Sequence, residues 1–152
     1  MTGERTTYSF EEVLKREGVI LYTTRGVSML PMLHEAKDLV VVEKLHGHPK
    51  PLDVVLYRRG SSYILHRVIR TDGECCLIRG DNTYESEYVR ESDILGVLTS
   101  FGHRGKSIPV SSPWYLCYAK IWTAVYPLRA LAVRSVRRFR RVLPRRCGGT
   151  KD

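Results

Sequence analysis

Three short strings in this chain supply a hydroxyl, an imidazole and a carboxylate, in that order: Gly26-Val27-Ser28-Met29-Leu30-Pro31, His66-Arg67-Val68 and Gly80-Asp81-Asn82. They are the materials of a serine nucleophile with a base and an orienting acid. A serine hydroxyl is barely nucleophilic at neutral pH, so Ser28 needs a neighbour that takes its proton in the transition state, and an imidazole titrates near working pH. Asp81 is expected to hold His66 in the tautomer whose free nitrogen faces Ser28. Gly26 and Pro31 bracket the serine with a permissive and a fixed backbone, as a tight turn presenting a side chain requires. Met29 is expected to pack inward beneath that turn. Singly, each string has a plainer reading: a turn serine, a core histidine on a strand face with Ile64 and Val68, and a common Gly-Asp-Asn turn. All three together favour the catalytic reading.

On these residues the chain resembles the catalytic core of the S24/S26 serine peptidases, which include signal peptidase I and the self-cleaving repressors of the LexA type. The family pattern G-x-S-M-x-P around the nucleophile is similar to residues 26–31, and its G-D-N string to residues 80–82. A histidine followed by Arg-Val resembles the endoplasmic-reticulum and archaeal signal peptidases rather than the lysine-dependent branch. The resemblance implies a serine endopeptidase acting on a peptide or leader-type substrate, with Ser28 as nucleophile and His66 as general base. It also implies a substrate bound as an extended strand, here beside Val27–Met32 and Tyr63–Leu65. Two departures stand out. Gly26 replaces a serine that in many members helps the oxyanion hole, leaving backbone N–H groups and Thr24 to do so. The acid that follows G-D-N in the histidine branch is represented by Glu85 and Glu87 as candidate supporting carboxylates. The competing reading is a peptide-binding module of the same fold, without turnover, tethered to a membrane surface or nucleic acid by its basic tail.

The elements that must position these residues read as a mainly β domain. Ser9-Phe10-Glu11-Glu12 is a capping box opening a short helix that Gly18 closes. Residues 19–24, 38–44, 53–58, 63–70, 75–79 and 94–101 read as strands, separated by turn signals at 49–51, 59–61 and 71–73. Spacing alone allows any small barrel or sandwich; the resemblance implies the coiled β domain of the signal-peptidase and LexA type.

The 152 residues fit one such domain, residues 1–112, followed by an aromatic and arginine-rich tail, residues 113–152. Ten Lys and Arg against one acid put the whole net charge of +9 in that tail. Trp114, Tyr115, Tyr118, Trp122 and Tyr126 interleave an apolar stretch in which Lys120, Pro127 and Arg129 leave a bilayer span open but not favoured. Aromatics at headgroup level followed by the arginine run suit a helix on an anionic membrane surface through residues 113–146; packing on the domain is the equal alternative. No base-reading module accompanies the arginines, so nucleic acid is not the expected partner.

No apolar run opens the sequence, which argues against a cleavable leader or an N-terminal anchor. With 27 residues before Ser28 and no Ala-Gly bond there, a whole self-cleaving repressor is not expected. Cys75, Cys76, Cys117 and Cys147 form neither a zinc spacing nor a disulfide framework, so no metal or cofactor is expected and the thiols read as reduced. The expected setting is cytoplasmic, peripheral to the membrane.

Overall fold

The computed structural model describes residues 8–103 and 105–133. Helix α1 (Phe10–Glu17) starts where the sequence places it: the Glu12 N–H donates to Ser9 Oγ at 3.2 Å and the Ser9 N–H to Glu12 Oε2 at 2.7 Å, while Gly18 at φ +76° closes it. Phe10 carries the helix onto the sheet, its ring centroid 4.8 Å from Tyr22 and 4.9 Å from Tyr63.

Eight strands follow: β1 (Val19–Thr23), β2 (Leu39–Lys44), β3 (Val54–Arg59), β4 (Ser62–Asp72), β5 (Cys75–Arg79), β6 (Glu87–Arg90), β7 (Ile94–His103) and β8 (Lys106–Pro109). They form one sheet in the order β1-β2-β7-β3-β4-β5-β6, with β8 on β7, and each pairing is antiparallel. The protein is therefore mainly β with a small helical C-terminal part, as the patterning predicts. Strands β6 and β8 were not expected. Both are four residues long, with sequences EYVR and KSIP too short and polar for a period-two signal to register. Conversely, residues 27–32, expected as part of a strand, form turns.

Period-two alternation gives the sheet two apolar faces. On β3, Val54 and Leu56 join a core with Leu14, Val40, Val42, Leu98 and Phe101, whereas Val55 and Tyr57 join a second with Val68, Cys76 and Ile78. The register carries that division onto β4, where Arg67 lies opposite Val54 and His66 opposite Val55. His66 and Arg67 consequently face opposite sides of the sheet.

Helix α2 (Pro113–Ala124) is capped by Ser112, whose Oγ accepts from the Tyr115 N–H at 3.3 Å, with Pro113 in the first turn. Helical backbone resumes after Val125 over 126–133. Tyr115 and Ala119 are buried in the first core, so this segment is seated on the strands by its inner face. Of the five aromatics in this stretch, Tyr115 is buried, Tyr118, Trp122 and Tyr126 hydrogen-bond to the loop after β5, and Trp114 is exposed. Among the described residues no helix is long and apolar enough to cross a membrane. The arginine run to residue 146 and Cys147 lie outside the described residues.

Candidate functional site

After β1 the chain turns sharply, with Gly26 at φ +85°, a conformation that L side chains rarely adopt. Met29, Met32 and Leu33 then plunge into the first core, and the Leu33 N–H donates to the Met29 carbonyl at 3.0 Å. Anchored on both sides, the turn leaves Ser28 half-buried at its crest. Met29 is inside, as its place beneath the turn requires, and Pro31 is on the outer surface.

The third string latches the first. The Asn82 N–H donates to the Ser28 carbonyl at 2.8 Å, and Asn82 Nδ2 to the Val27 carbonyl at 3.1 Å. Gly80 lies so close that a Cβ there would stand 2.7 Å from the Ser28 carbonyl oxygen and 2.9 Å from His66 Nε2. Only glycine lets the β5 end, the serine turn and the imidazole meet. Ser28 and His66 line one cleft of about 230 Å³. No hydrogen bond joins the Ser28 hydroxyl to the ring in this unliganded geometry; such bonds often tighten only when substrate arrives.

His66 is buried, and its Nδ1 lies 3.2 Å from the Tyr57 hydroxyl. The Tyr57 O–H donates to Glu87 Oε1, so the same oxygen accepts from Nδ1–H. This commits Nε2, the nitrogen beside Gly80 and the serine turn, to carrying the free lone pair. Burial pushes the Tyr57 phenol up, with Glu87 adding to the effect, so it remains a donor. Burial also lowers the His66 pKa from its ordinary 6.5; Glu87 opposes that fall and Arg59 adds to it. Arg59 itself reaches Glu87 at 3.1 Å.

The expectation that Asp81 orients His66 is corrected. Its carboxylate takes a bidentate pair from Arg67, Nε to Oδ1 at 2.8 Å and Nη2 to Oδ2 at 2.7 Å, with the Tyr118 hydroxyl donating to Oδ2 at 3.1 Å. Strand parity sends Arg67 and His66 to opposite faces, and the turn after β5 delivers Asp81 to the Arg67 side. Of the candidate supporting acids, Glu87 reaches His66 through Tyr57, whereas Glu85 is exposed and its carbonyl accepts from Thr83.

Two sheet edges border the cleft. Residues 62–66 of β4 pair with β3 alone, because β5 begins pairing at Arg67; among the described residues β1 pairs with β2 alone. Tyr22 from β1 and Tyr63, Ile64 and Leu65 from β4 form the facing walls. Residues 27–32, expected to lie beside the substrate, are turns, and the free sheet edge on that side of the cleft is β1. Thr24, also lining the cleft, is 8% exposed, and its Oγ1 has no hydrogen-bond partner. Buried hydroxyls are nearly always paired, which sets Thr24 apart from the other buried polar side chains among the described residues.

Among the described residues no cluster of three His, Cys, Asp or Glu side chains is arranged to hold a metal. Tyr57, Arg67, Trp122 and Arg129 were missed from the sequence. Tyr57 had a readable signal, since period two puts it on the face of Val55, which pairs with His66. Trp122 and Arg129, which hold the Asp81 carbonyl, had none beyond their membership in an aromatic tail. Comparison with known proteins assigns no family, since no family model and no curated sequence matches this chain.

Proposed function

We infer that this protein is a serine endopeptidase of the signal-peptidase and LexA-like coiled β fold, with Ser28 as nucleophile and His66 as general base. The observation that carries the reading is the convergence at Gly80, where the serine turn and the lone-pair nitrogen of a buried, correctly tautomerised imidazole abut one glycine. His66 takes the Ser28 proton as Oγ attacks the scissile carbonyl, then returns it to the leaving amine, and water hydrolyses the acyl-enzyme by the same relay. Tyr57 and Glu87 hold the ring, the part first given to Asp81. An extended peptide adds as a strand between the β1 edge and residues 62–66 of β4, delivering its carbonyl to Ser28. The setting in which it works, cytoplasmic and at a membrane surface, is inferred from the basic tail.

The test is a fluorophosphonate probe with a pH profile. The probe is expected to label Ser28, and kcat/KM to rise with pH along an imidazole limb. Because burial lowers the His66 pKa, the neutral base survives to lower pH and the midpoint falls below 6.5. Glu87→Gln removes a charge that raises that pKa and moves the limb to lower pH, while Arg59→Gln removes one that lowers it and moves the limb up. Tyr57→Phe keeps the ring but strips the Nδ1 partner, costing roughly 10²-fold in kcat. Shifts in the same direction for the two charge variants would remove His66 as the titrating base. The lack of a Ser28–His66 hydrogen bond favours a second reading, a peptide-binding module, which predicts no labelling.

Thr24 is the proposed side-chain donor to the oxyanion, beside the Ser28 N–H. Thr24→Val is expected to lower kcat by about 10²-fold or more with KM nearly unchanged. Thermal stability should hold or rise, because an unpaired buried hydroxyl is removed. Thr24→Ser should restore most of the rate. A variant that loses stability but keeps its rate would make Thr24 a structural residue.

A further inference from the structure

The inner face of the C-terminal helical segment is aimed at one place. Tyr118, Trp122, Tyr126 and Arg129 recur at intervals of four, four and three, one side of a helix. Trp122 Nε1 donates to the Asp81 carbonyl at 3.0 Å, and Arg129 Nη2 donates to the same oxygen at 2.8 Å. The Tyr126 hydroxyl donates to the Tyr84 carbonyl at 2.9 Å, and the Tyr118 hydroxyl reaches the Asp81 side chain. Cations lock the rings in turn: Arg129 lies 3.8 Å from the Trp122 centroid, and Arg79, the residue before Gly80, 3.2 Å from that of Tyr126.

The turn so gripped is the one that latches the serine. Asp81 sits between Gly80, which abuts both Ser28 and His66, and Asn82, whose amide holds the Ser28 carbonyl. A peptide unit pulled by two donors at its carbonyl fixes the direction of the next N–H, which belongs to Asn82. We propose that the C-terminal segment is a clamp that sets the peptidase site, with Trp122 and Arg129 as positioning residues acting through the Asp81–Asn82 peptide, so that activity follows how this segment is seated. The clamp rests on the peptidase reading for its effect on rate, but its effect on the turn stands independently.

The experiment uses the full chain carrying Trp122→Phe, which keeps the ring and removes the donor, with Arg129→Met. Amide hydrogen exchange is read at Asn82 against Val55 and Val68 in the sheet, and fluorophosphonate labelling of Ser28 is timed on the same proteins. Asn82 is expected to exchange about tenfold faster for one lost donor and up to about a hundredfold faster for both. Val55 and Val68 should be unchanged, and labelling about tenfold slower. Arg129→Lys, still a donor, should recover part of both effects. If Asn82 exchanges as in the wild type, the clamp is wrong. If it exchanges faster while labelling stays within twofold, the turn does not govern Ser28 and the proposal also fails. Should the sheet amides accelerate too, Trp122→Phe alone gives the same comparison with the ring packing kept. A wild-type protein that resists labelling overturns the peptidase reading instead, and the Asn82 exchange then decides the clamp alone.

Discussion

Ser28→Ala is expected to abolish both peptide hydrolysis and fluorophosphonate labelling, a fall of about 10⁴-fold or more in kcat, while leaving the fold intact. The rate effect follows from removing the only atom that forms the acyl bond. Intact folding follows from the position: Ser28 is half-buried, its hydroxyl makes no hydrogen bond, and the turn is held through its backbone carbonyl and by Met29 and Leu33. His66→Ala should cost a similar factor in rate but also some stability, because the Tyr57 hydroxyl loses a buried partner. The double variant should be barely worse than either single one, since the two groups act as a unit. Fully multiplicative losses would mean that Ser28 and His66 serve different steps. Residual turnover in Ser28→Ala, confirmed by mass spectrometry of the products, would place the nucleophile elsewhere.

What the sequence could reveal was whatever local physics decides. The Ser9–Glu12 capping box and Gly18 define α1 by nearest-neighbour hydrogen bonds, and six strands announce themselves through alternating β-branched residues. Ser28, His66 and the Gly80–Asn82 turn stood out because their residue types carry chemistry whatever the fold. The partner of the imidazole did not, because it depends on strand register. Arg67 pairs with Arg79 across the β4–β5 hairpin, and the turn after Arg79 brings the Asp81 carboxylate onto the Arg67 guanidinium. Tyr57 becomes a neighbour of His66 only once the β3–β4 register is known. The tail was ambiguous for a similar reason: Tyr, Trp and Arg suit a headgroup region and a hydrogen-bonded protein surface equally well. The carbonyls of Asp81 and Tyr84, invisible in composition, take the hydrogen bonds of the inner face up to residue 133.

Asp81→Ala is expected to be the most destabilising single change near the site, by about 3–5 kcal/mol. Arg67 is fully buried, and its guanidinium spends two donors on the carboxylate, one on the Leu52 carbonyl at 3.0 Å and one on the Tyr115 hydroxyl at 3.0 Å. Burial disfavours its charge, but the Asp81 hydrogen bonds and field outweigh that and raise its pKa above the ordinary arginine value. A guanidinium is not deprotonated in proteins, so Arg67 stays charged when Asp81 is gone, and an uncompensated cation remains in the core. For a chain of this length the loss corresponds to roughly 10–15 °C in Tm. Removing both charges, as Arg67→Met with Asp81→Asn, should cost clearly less than the sum of the single changes. Kinetics separate this role from catalysis. Asp81→Asn, assayed well below its Tm, should keep the acid limb of the wild-type pH profile close to its position, because Asp81 is a minor influence on His66 beside burial and Glu87. A large displacement of that limb with unchanged Tm would return Asp81 to the orienting role and take it from Tyr57 and Glu87.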